Sequence, residues 1–217
     1  MEPNMKILIA VPCMDKMDTA FVRCLLGLRK PGEVAIQLLA NSLVYMSREH
    51  LASFAVEQGA EWLFFLDSDM IFGEDLLVKL MQAAEEEKAD VVTALAFRRR
   101  APYTPCVWRR IEVKEGDEPN IVEEFDELPD GRFEIAACGM AGALIRTDML
   151  LRCFQEFHMC FIPFPEFGED ISFCIRAKQL GAKIICDRNV QMGHISQTIV
   201  DEATYRNYKE KKDARKG

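Results

Sequence analysis

Trp62-Leu-Phe-Phe-Leu66 is an uninterrupted apolar run that leads directly into Asp67-Ser-Asp69. Such a run, without polar alternation, is typical of a strand buried on both faces in a parallel sheet. The aspartates follow its carboxyl end, where open α/β sheets bind their ligands. Two carboxylates one residue apart suit Mg²⁺ or Mn²⁺. Aspartates here can equally cap the following helix, and the spacing alone leaves both interpretations open.

Strand and helix patterns alternate throughout the first hundred residues. Apolar runs predict strands, and segments whose apolar residues recur every three or four positions predict helices between them. The predicted strands are 6–12, 33–39, 61–66 and 89–97, and the predicted helices are 18–30, 47–59 and 74–88. This order predicts an α/β fold with a Rossmann-like, mostly parallel central sheet and helices on both faces.

The pattern changes in the second half of the chain. Short strands followed by an acidic, loop-like stretch at 114–130 predict a small antiparallel excursion. Further strands are predicted at 136–146, 183–186 and 190–195, and further helices at 147–157 and 168–181. We expect a single domain over residues 1–200, followed by a charged tail, 201–217, that is either loosely ordered or a surface helix.

Composition limits the classes of function. The 217 residues are 49% hydrophobic and carry a formal net charge of −8, which argues against generic adhesion to nucleic acid. No apolar run reaches transmembrane length and the first residues lack a signal-peptide pattern, so we expect a cytoplasmic protein, in the host cytoplasm if viral, without a membrane partner. None of the eight cysteines forms a C-x-x-C pair, which favours reduced, mostly buried thiols over a zinc cluster.

Two further motifs contain groups suited to catalysis or metal binding. Glu169 and Asp170 follow Gly168 at the start of a predicted helix, where they can cap the helix or supply a general base. His194 follows a short apolar strand, and Gly193 beside it allows close backbone approach. A neutral imidazole there can bind a Mn²⁺-class metal, although a lone histidine is more often an ordinary core or surface residue.

Arginines and aromatic residues form a third group of candidates. Arg48 begins a predicted helix, and the cluster Arg98-Arg-Arg100 lies close to Tyr103 and Trp108. Guanidinium groups pair with phosphate through two parallel hydrogen bonds, and aromatic rings stack on bases or sugars. The alternative for most of this cluster is a solvated charged face.

Seven stretches carry a family resemblance through their order and spacing. They are Ile9-Ala-Val-Pro12, Ser42-Leu-Val-Tyr-Met-Ser-Arg48, Phe64-Phe-Leu-Asp-Ser-Asp-Met70, Ala96-Phe-Arg98 with Ala101-Pro-Tyr103, Gly139-Met-Ala-Gly142, Phe164-Pro-Glu-Phe-Gly-Glu-Asp-Ile-Ser-Phe-Cys174 and Gly193-His194. Together they resemble the family 2-like GT-A glycosyltransferases, most closely a set of small bacteriophage and bacterial enzymes. The resemblance spans residues 6 to about 196.

The resemblance implies a GT-A fold and a reaction. A hexosyl group would pass from a UDP- or GDP-linked sugar to an acceptor hydroxyl, with Mn²⁺ or Mg²⁺ bridging the two phosphates. It implies Asp69 and His194 as metal ligands and Asp67 as a contact to the metal or the ribose. It also implies Asp170 as the base of an inverting reaction, with Glu169 holding acceptor or sugar hydroxyls.

Further positions take implied roles in binding the donor. Val11 and Pro12 would border the nucleobase, Arg48 would lie near the nucleotide, and Ser68 would contact the nucleotide sugar. Gly139 and Gly142 would leave room for the donor sugar. Residues 188–198 are a candidate lid that would order over the site and exclude water.

Other interpretations of the sequence stay open. The stretch Leu38-Leu-Ala-Asn-Ser42 has no acidic residue where the family pattern has one to read the base or ribose, which leaves Asn41 and Ser42 as the candidates for that role. A nucleotidyltransferase and a non-catalytic sugar-nucleotide-binding protein are the alternatives to a glycosyltransferase. The acceptor could be a modified DNA base, a protein or a glycan.

Overall fold

The computed structural model of the chain describes residues 6–114, 120–196 and 199–213. Its helices are α1 (Thr19–Gly27), α2 (Val44–Glu57), α3 (Leu76–Glu87), α4 (Thr147–Phe157), α5 (Glu169–Gln179) and α6 (Glu202–Asp213). Its strands are β1 (Ile7–Cys13), β2 (Val34–Ala40), β3 (Trp62–Leu66), β4 (Met70–Phe72), β5 (Val91–Leu95), β6 (Val107–Trp108), β7 (Arg110–Glu112), β8 (Ile121–Glu123), β9 (Arg132–Glu134), β10 (Ala137–Cys138), β11 (Gly142–Arg146), β12 (Ile184–Ile195) and β13 (Ile199–Val200).

One large sheet organises the fold. Its strand order is β13-β12-β5-β11-β3-β1-β2, and β4 and β9 also pair with β12. Strand β1 runs parallel to β2 and β3, and β5 runs parallel to β12, whereas β11 lies antiparallel between β3 and β5. Two small antiparallel pairs, β6–β10 and β7–β8, stand apart from it. The predicted α/β class with its Rossmann-like sheet and antiparallel excursion is confirmed.

Helices cover both faces of the sheet because its strands are apolar on both sides. All five residues of β3 are buried. Leu63 and Phe65 pack in one cluster with α2, α4 and α5, while Phe64 and Leu66 pack in the other with α1 and α3. Full burial of each large apolar side chain contributes about 1.5–3 kcal/mol. The aspartates of the Asp67–Asp69 motif therefore lie beyond the buried strand, at its carboxyl end.

Two predicted element boundaries are wrong. Helix α2 begins at Val44, three residues before the predicted start. The predicted strand 136–146 is broken at Gly139, because β10 pairs with β6 while β11 enters the large sheet. The intervening Ala141 carbonyl instead accepts a hydrogen bond from the Asp67 amide at 3.1 Å, which ties this break to the aspartate motif.

The predicted lid is also wrong for residues 188–195. The two predicted strands 183–186 and 190–195 form the single strand β12, which shifts register between Asp187 and Gln191. Within it, Val190 and Met192 are buried and Gly193 pairs with Ile71 of β4. This segment is part of the sheet and so cannot serve as a flexible cover. Residues 197 and 198 of the predicted lid lie outside the described residues.

The described part of the charged tail is helix α6, which packs on the body of the protein. The ring of Tyr205 stacks on Phe97 with centroids 5.4 Å apart, and Tyr208 meets Tyr103 edge-on at 5.5 Å. Residues 214–217 lie outside the described residues. None of the described helices combines the length and apolar character that a membrane crossing requires. All eight cysteines are free thiols, and five of them are buried.

Candidate active site

Two adjoining cavities open where β1, β3 and β11 meet the distal half of β12. The larger, of about 440 Å³, is lined by Arg48, Asp67, Asp170 and His194 among others. The smaller, of about 210 Å³, is lined by residues of the β1, β2 and β3 ends and Asp67 again. A still larger cavity of about 640 Å³ lies between α1 and β4 and contains none of the predicted site residues. The candidate site is therefore the pair of adjoining cavities that the predicted residues line.

The structure brings Asp69 and His194 together. The Nε2 atom of His194 lies 3.3 Å from Oδ2 of Asp69, and its Nδ1 lies 2.9 Å from the carbonyl oxygen of Phe97. The pairing of β4 with β12 creates this proximity, because His194 stands opposite Met70 in the ladder. The Ile195 amide also donates to the Asp69 carbonyl at 2.7 Å. Backbone hydrogen bonds thus fix both side chains in register.

The chemistry of this pair suits a cation. A carbonyl oxygen only accepts hydrogen bonds, so Nδ1 of His194 must carry a proton that it donates to Phe97. In the neutral ring, Nε2 then directs a lone pair at a carboxylate oxygen of Asp69, an arrangement that needs a positive species between them. Either a second proton or a metal ion meets that need. Two ligands at right angles on one octahedral ion lie about 3 Å apart, close to the observed separation.

The described residues contain no group of three or more His, Cys, Asp and Glu side chains that could hold a metal ion together. Asp67 is therefore separate from the Asp69–His194 pair, and its Oδ1 instead accepts a hydrogen bond from Arg48 at 2.8 Å. The residues present still fit Mg²⁺ or Mn²⁺, because such ions commonly bind through one or two protein ligands and complete their shell with substrate phosphates and water.

Arg99 is a positively charged side chain that also contacts Asp69. The Nη1 atom of Arg99 lies 2.8 Å from the same Oδ2 that faces His194. Burial acts to raise the pKa of Asp69, but the hydrogen bond and charge that His194 supplies when its ring is protonated, together with the charge of Arg99, outweigh burial, so the pKa lies below its usual value. Asp69 is consequently a carboxylate at neutral pH, which is the form that binds a metal.

Arg48 joins the two acidic motifs. Its guanidinium is almost fully buried and pairs with Asp67 at 2.8 Å and, through Nε, with Glu169 at 3.2 Å. It also lies over the ring of Phe65, 5.1 Å from the centroid. Its Nη1 is buried without a hydrogen-bond partner among the described residues. Arg48 therefore bridges two carboxylates, one from each acidic motif.

Asp170 lies at the first turn of α5 and faces the larger cavity. Burial raises its pKa to about 6, with a further increase from the neighbouring charge of Glu169, while the Ile171 amide and Arg48 oppose the change. The Ile171 amide donates to Oδ1 at 2.7 Å. Oδ2 lies 3.8 Å from where a Cβ on Gly139 would stand. One carboxylate oxygen is thus anchored, and the other is directed toward the cavity.

Glycines shape the space around these groups. A Cβ on Gly168 would lie 2.9 Å from Oδ1 of Asp170, so this glycine leaves the carboxylate room to fold back on its own helix. A Cβ on Gly142 would lie 2.1 Å from the sulfur of Met192. The space beside Gly142 is therefore filled by Met192, and only the backbone of Gly142 is available to a ligand in the larger cavity.

The predicted contact of Val11 with a nucleobase is not supported by its position. Val11 is fully buried in the core on the α1 side of the sheet. Pro12, the next residue, lines the smaller cavity together with Ser68 and Asp69. Val11 is still within the packed strand, whereas Pro12 stands where the strand opens into the loop. Ser42 also lines this cavity, but Asn41 does not.

Sequence patterns alone did not single out two groups that contact the site. Arg99 stands between two other arginines, and nothing in the sequence distinguishes the one that reaches Asp69. The Phe97 carbonyl is a backbone group, so no residue type in the sequence points to it.

Cys106 also lines the larger cavity, where burial raises the pKa of its thiol to about 12. That thiol stays protonated at neutral pH and is a poor nucleophile.

Comparison with protein-family models and with curated proteins gives no match. Among solved structures, the chain is similar to the crystal structure of A197 from STIV, with a TM-score of 0.63 and 21% sequence identity. The likeness covers 88% of this chain and 86% of that chain. It extends over most of both molecules and is a likeness of fold.

Proposed function

We propose that this protein is a metal-dependent glycosyltransferase of the GT-A type. It would move a hexosyl group from a UDP- or GDP-linked sugar to an acceptor hydroxyl. The observation that carries the proposal is the convergence of Asp69 and His194, 125 residues apart in sequence, beside a cavity that also contains Asp170. A metal-ligand pair and a carboxyl base at one cleft are the groups this reaction needs.

The two cavities suggest how a donor lies in the cleft. The smaller cavity, with Pro12, Ser42 and Ser68, would take the nucleoside, and the larger would take the sugar and the acceptor hydroxyl. Asp67 borders both cavities and therefore stands where the two parts of the donor join.

Asp69 and His194 would hold the divalent cation at the junction of the cavities. When bound there, a cation would supply positive charge against the negative charge of the departing diphosphate. The Phe97 carbonyl holds the His194 ring in the tautomer whose Nε2 is free to ligate. The β4–β12 backbone pairing keeps both ligands in place before the donor arrives, so little reorganisation is needed when it binds.

Asp170 would act as the general base. Its free oxygen accepts the proton of the acceptor hydroxyl as that oxygen attacks the anomeric carbon, and the nucleoside diphosphate leaves from the opposite face. A single displacement of this kind inverts the anomeric configuration. A pKa of about 6 keeps Asp170 largely ionised at neutral pH while making it a stronger base than an ordinary aspartate. Glu169, positioned by Arg48, would hold hydroxyl groups.

The direct test is turnover of nucleotide sugars by the full chain. UDP- and GDP-hexoses are incubated with Mn²⁺ or Mg²⁺, and release of nucleoside diphosphate is measured with and without candidate acceptors. We expect metal-dependent release from one donor class, with at least about a hundredfold loss in Asp69→Asn and Asp170→Asn. His50→Gln, an exposed histidine of α2, is the matched control and should behave as wild type.

The same assay separates the alternatives. Tight binding of a nucleotide sugar without release or transfer would make the protein a non-catalytic binder. Release of pyrophosphate from a nucleoside triphosphate would instead indicate a nucleotidyltransferase. No binding of any uridine or guanosine nucleotide with any divalent metal would refute the proposal altogether.

A further inference from the structure

Arg99 contacts the oxygen of Asp69 that a metal ion would bind. Its Nη1 lies 2.8 Å from Oδ2, the same oxygen that Nε2 of His194 approaches at 3.3 Å. A guanidinium and a dication both seek this oxygen, and both cannot hold it in one geometry. Binding of a metal by Asp69 and His194 therefore requires Arg99 to move or to share the carboxylate.

The neighbouring arginines are placed differently. Arg98 lies over the ring of Trp108, 5.9 Å from its centroid, and pairs with Glu124 at 3.4 Å. Arg100 makes no ion pair with any residue that the structure describes, and its carbonyl accepts a hydrogen bond from the Tyr103 amide. Among the three consecutive arginines, Arg99 is the one that reaches the aspartate motif.

The Arg99 side chain can leave Asp69 at little cost. About half of the Arg99 side chain is exposed (54%), and exposed ion pairs are weak. The backbone beneath it is held at both ends, since the Arg98 amide donates to the Thr104 carbonyl at 3.0 Å and the Cys106 amide donates to the Ala96 carbonyl at 2.9 Å. The guanidinium can therefore swing by side-chain rotation while the segment that carries it stays in place.

A diphosphate is the partner within reach of a displaced Arg99. Asp69 and His194 would hold a cation beside the oxygen that Arg99 now contacts, and the cation would bring a donor phosphate to the same place. The guanidinium that now touches Oδ2 needs only a small swing to reach that phosphate. A guanidinium binds phosphate oxygens through two parallel hydrogen bonds. Arg99 keeps its positive charge whether it pairs with a carboxylate or with a phosphate, so it can exchange one partner for the other.

We propose that Arg99 holds the cation position on Asp69 in the ligand-free protein and passes to the donor diphosphate when metal and nucleotide bind. This inference rests on the proposed function and adds a positioning residue to it. Arg99 then has two opposed effects. It competes with the metal when no nucleotide is present, and it strengthens diphosphate binding once the metal is in place.

The test is a pair of binding measurements on the full chain as wild type, Arg99→Gln and Arg100→Gln. Mn²⁺ affinity is measured by electron paramagnetic resonance without nucleotide, and UDP and GDP affinities are measured by calorimetry at saturating Mn²⁺. For Arg99→Gln we expect Mn²⁺ binding to tighten up to about fivefold, the scale of an exposed ion pair. We expect diphosphate binding to weaken by about tenfold, the scale of a charge-assisted hydrogen bond. Arg100→Gln should change neither.

The two opposite signs distinguish this inference from a structural role, because a damaged site would weaken both ligands. Arg99→Lys keeps the charge but loses the two-pronged geometry, so it should compete with Mn²⁺ as wild type does and bind diphosphate less well. Unchanged Mn²⁺ affinity in Arg99→Gln, or parallel weakening of both ligands, would overturn the inference while leaving the proposed function intact. Failure of wild type and Arg100→Gln to bind Mn²⁺ even with nucleotide would overturn both.

Discussion

The imidazole of His194 and the carboxylate of Asp69 meet at 3.3 Å because the three-residue strand β4 pairs with the distal half of β12. The backbone pairing of the two strands holds this contact, and the Ile195 amide donates a 2.7 Å hydrogen bond to the Asp69 carbonyl beside it. Sites carried on regular elements hold their geometry better than sites on loops. The pair is thus preorganised for a ligand that bridges it.

The pH dependence of transfer should report Asp170. Burial and Glu169 raise its pKa to about 6, and only the ionised form accepts a proton. We expect kcat at saturating Mn²⁺ and donor to rise with pH through about 6 and to be about tenfold lower at pH 5 than at pH 7. Cys106 nearby, with a pKa of about 12, does not titrate in this range. A flat profile between pH 5 and 7 would remove Asp170 from the role of base.

Replacing Asp170 should stabilise the fold at neutral pH. Its pKa is higher in the folded protein than in the unfolded chain, so between pH 4 and 6 the folded state binds the proton that the unfolded state releases, and stability falls as pH rises through this window. Asp170→Asn removes that penalty. We expect a gain of up to about 2 kcal/mol at pH 7.5 and little change at pH 4, measured by urea denaturation. A loss of stability at pH 7.5 would contradict this reasoning.

Arg48 should be needed for both stability and catalysis. Arg48→Met leaves Asp67 and Glu169 beside Asp170 without their shared counter-charge, which is expected to cost about 3 kcal/mol of unfolding free energy. Because Arg48 lowers the pKa of Asp170, the pH profile of any remaining activity should move to higher pH. Arg23→Met, on the exposed side of α1, is the control and should change stability by less than about 0.5 kcal/mol.

Arg48→Lys refines that test. A lysine keeps one positive charge but cannot reach two carboxylates with a rigid fork, so it should restore only part of the stability. Full restoration by lysine would mean that charge alone matters and that the bridging geometry does not.

Helix α6 should support the Asp69–His194 pair through Phe97. Tyr205 stacks on Phe97, whose carbonyl orients His194, so Tyr205→Ala removes a support of that carbonyl. We expect a loss of about 2 kcal/mol, a melting temperature about 4–8 °C lower, and weaker Mn²⁺ binding. Asn207→Ala, an exposed position on the same helix, should match wild type in both measurements. Unchanged Mn²⁺ affinity in Tyr205→Ala would separate α6 from the site.

Much of the fold could be predicted from the sequence because its central strands are continuous apolar runs. The run Trp62–Leu66 is apolar at every position, as a strand covered on both faces must be. Strand β4 gave no such signal, since it has three residues and owes its conformation to pairing with β12. Polar residues such as Asp187 and Arg188 made β12 look like two strands, whereas the structure accommodates them at a register shift and through ion pairs.

The candidate site was only partly predictable. The order and spacing of the seven stretches drew attention to Asp69, Asp170 and His194, whereas each residue alone has an ordinary structural interpretation as a helix cap or a core residue. The partner of Arg48 could not be foreseen, because an arginine suited to phosphate is equally suited to carboxylates. Nor could the sequence tell Arg99 from its neighbours, since only tertiary packing decides which of three arginines faces Asp69.

The most direct measurement is Mn²⁺ binding by pulsed electron paramagnetic resonance on the full chain with UDP or GDP. We predict a ¹⁴N modulation from the His194 nitrogen in wild type and in the control His50→Gln. The modulation should vanish in His194→Gln, and Mn²⁺ affinity should fall by at least about tenfold in Asp69→Asn. Mn²⁺ bound to His194→Gln with wild-type affinity and an unchanged spectrum would contradict the account.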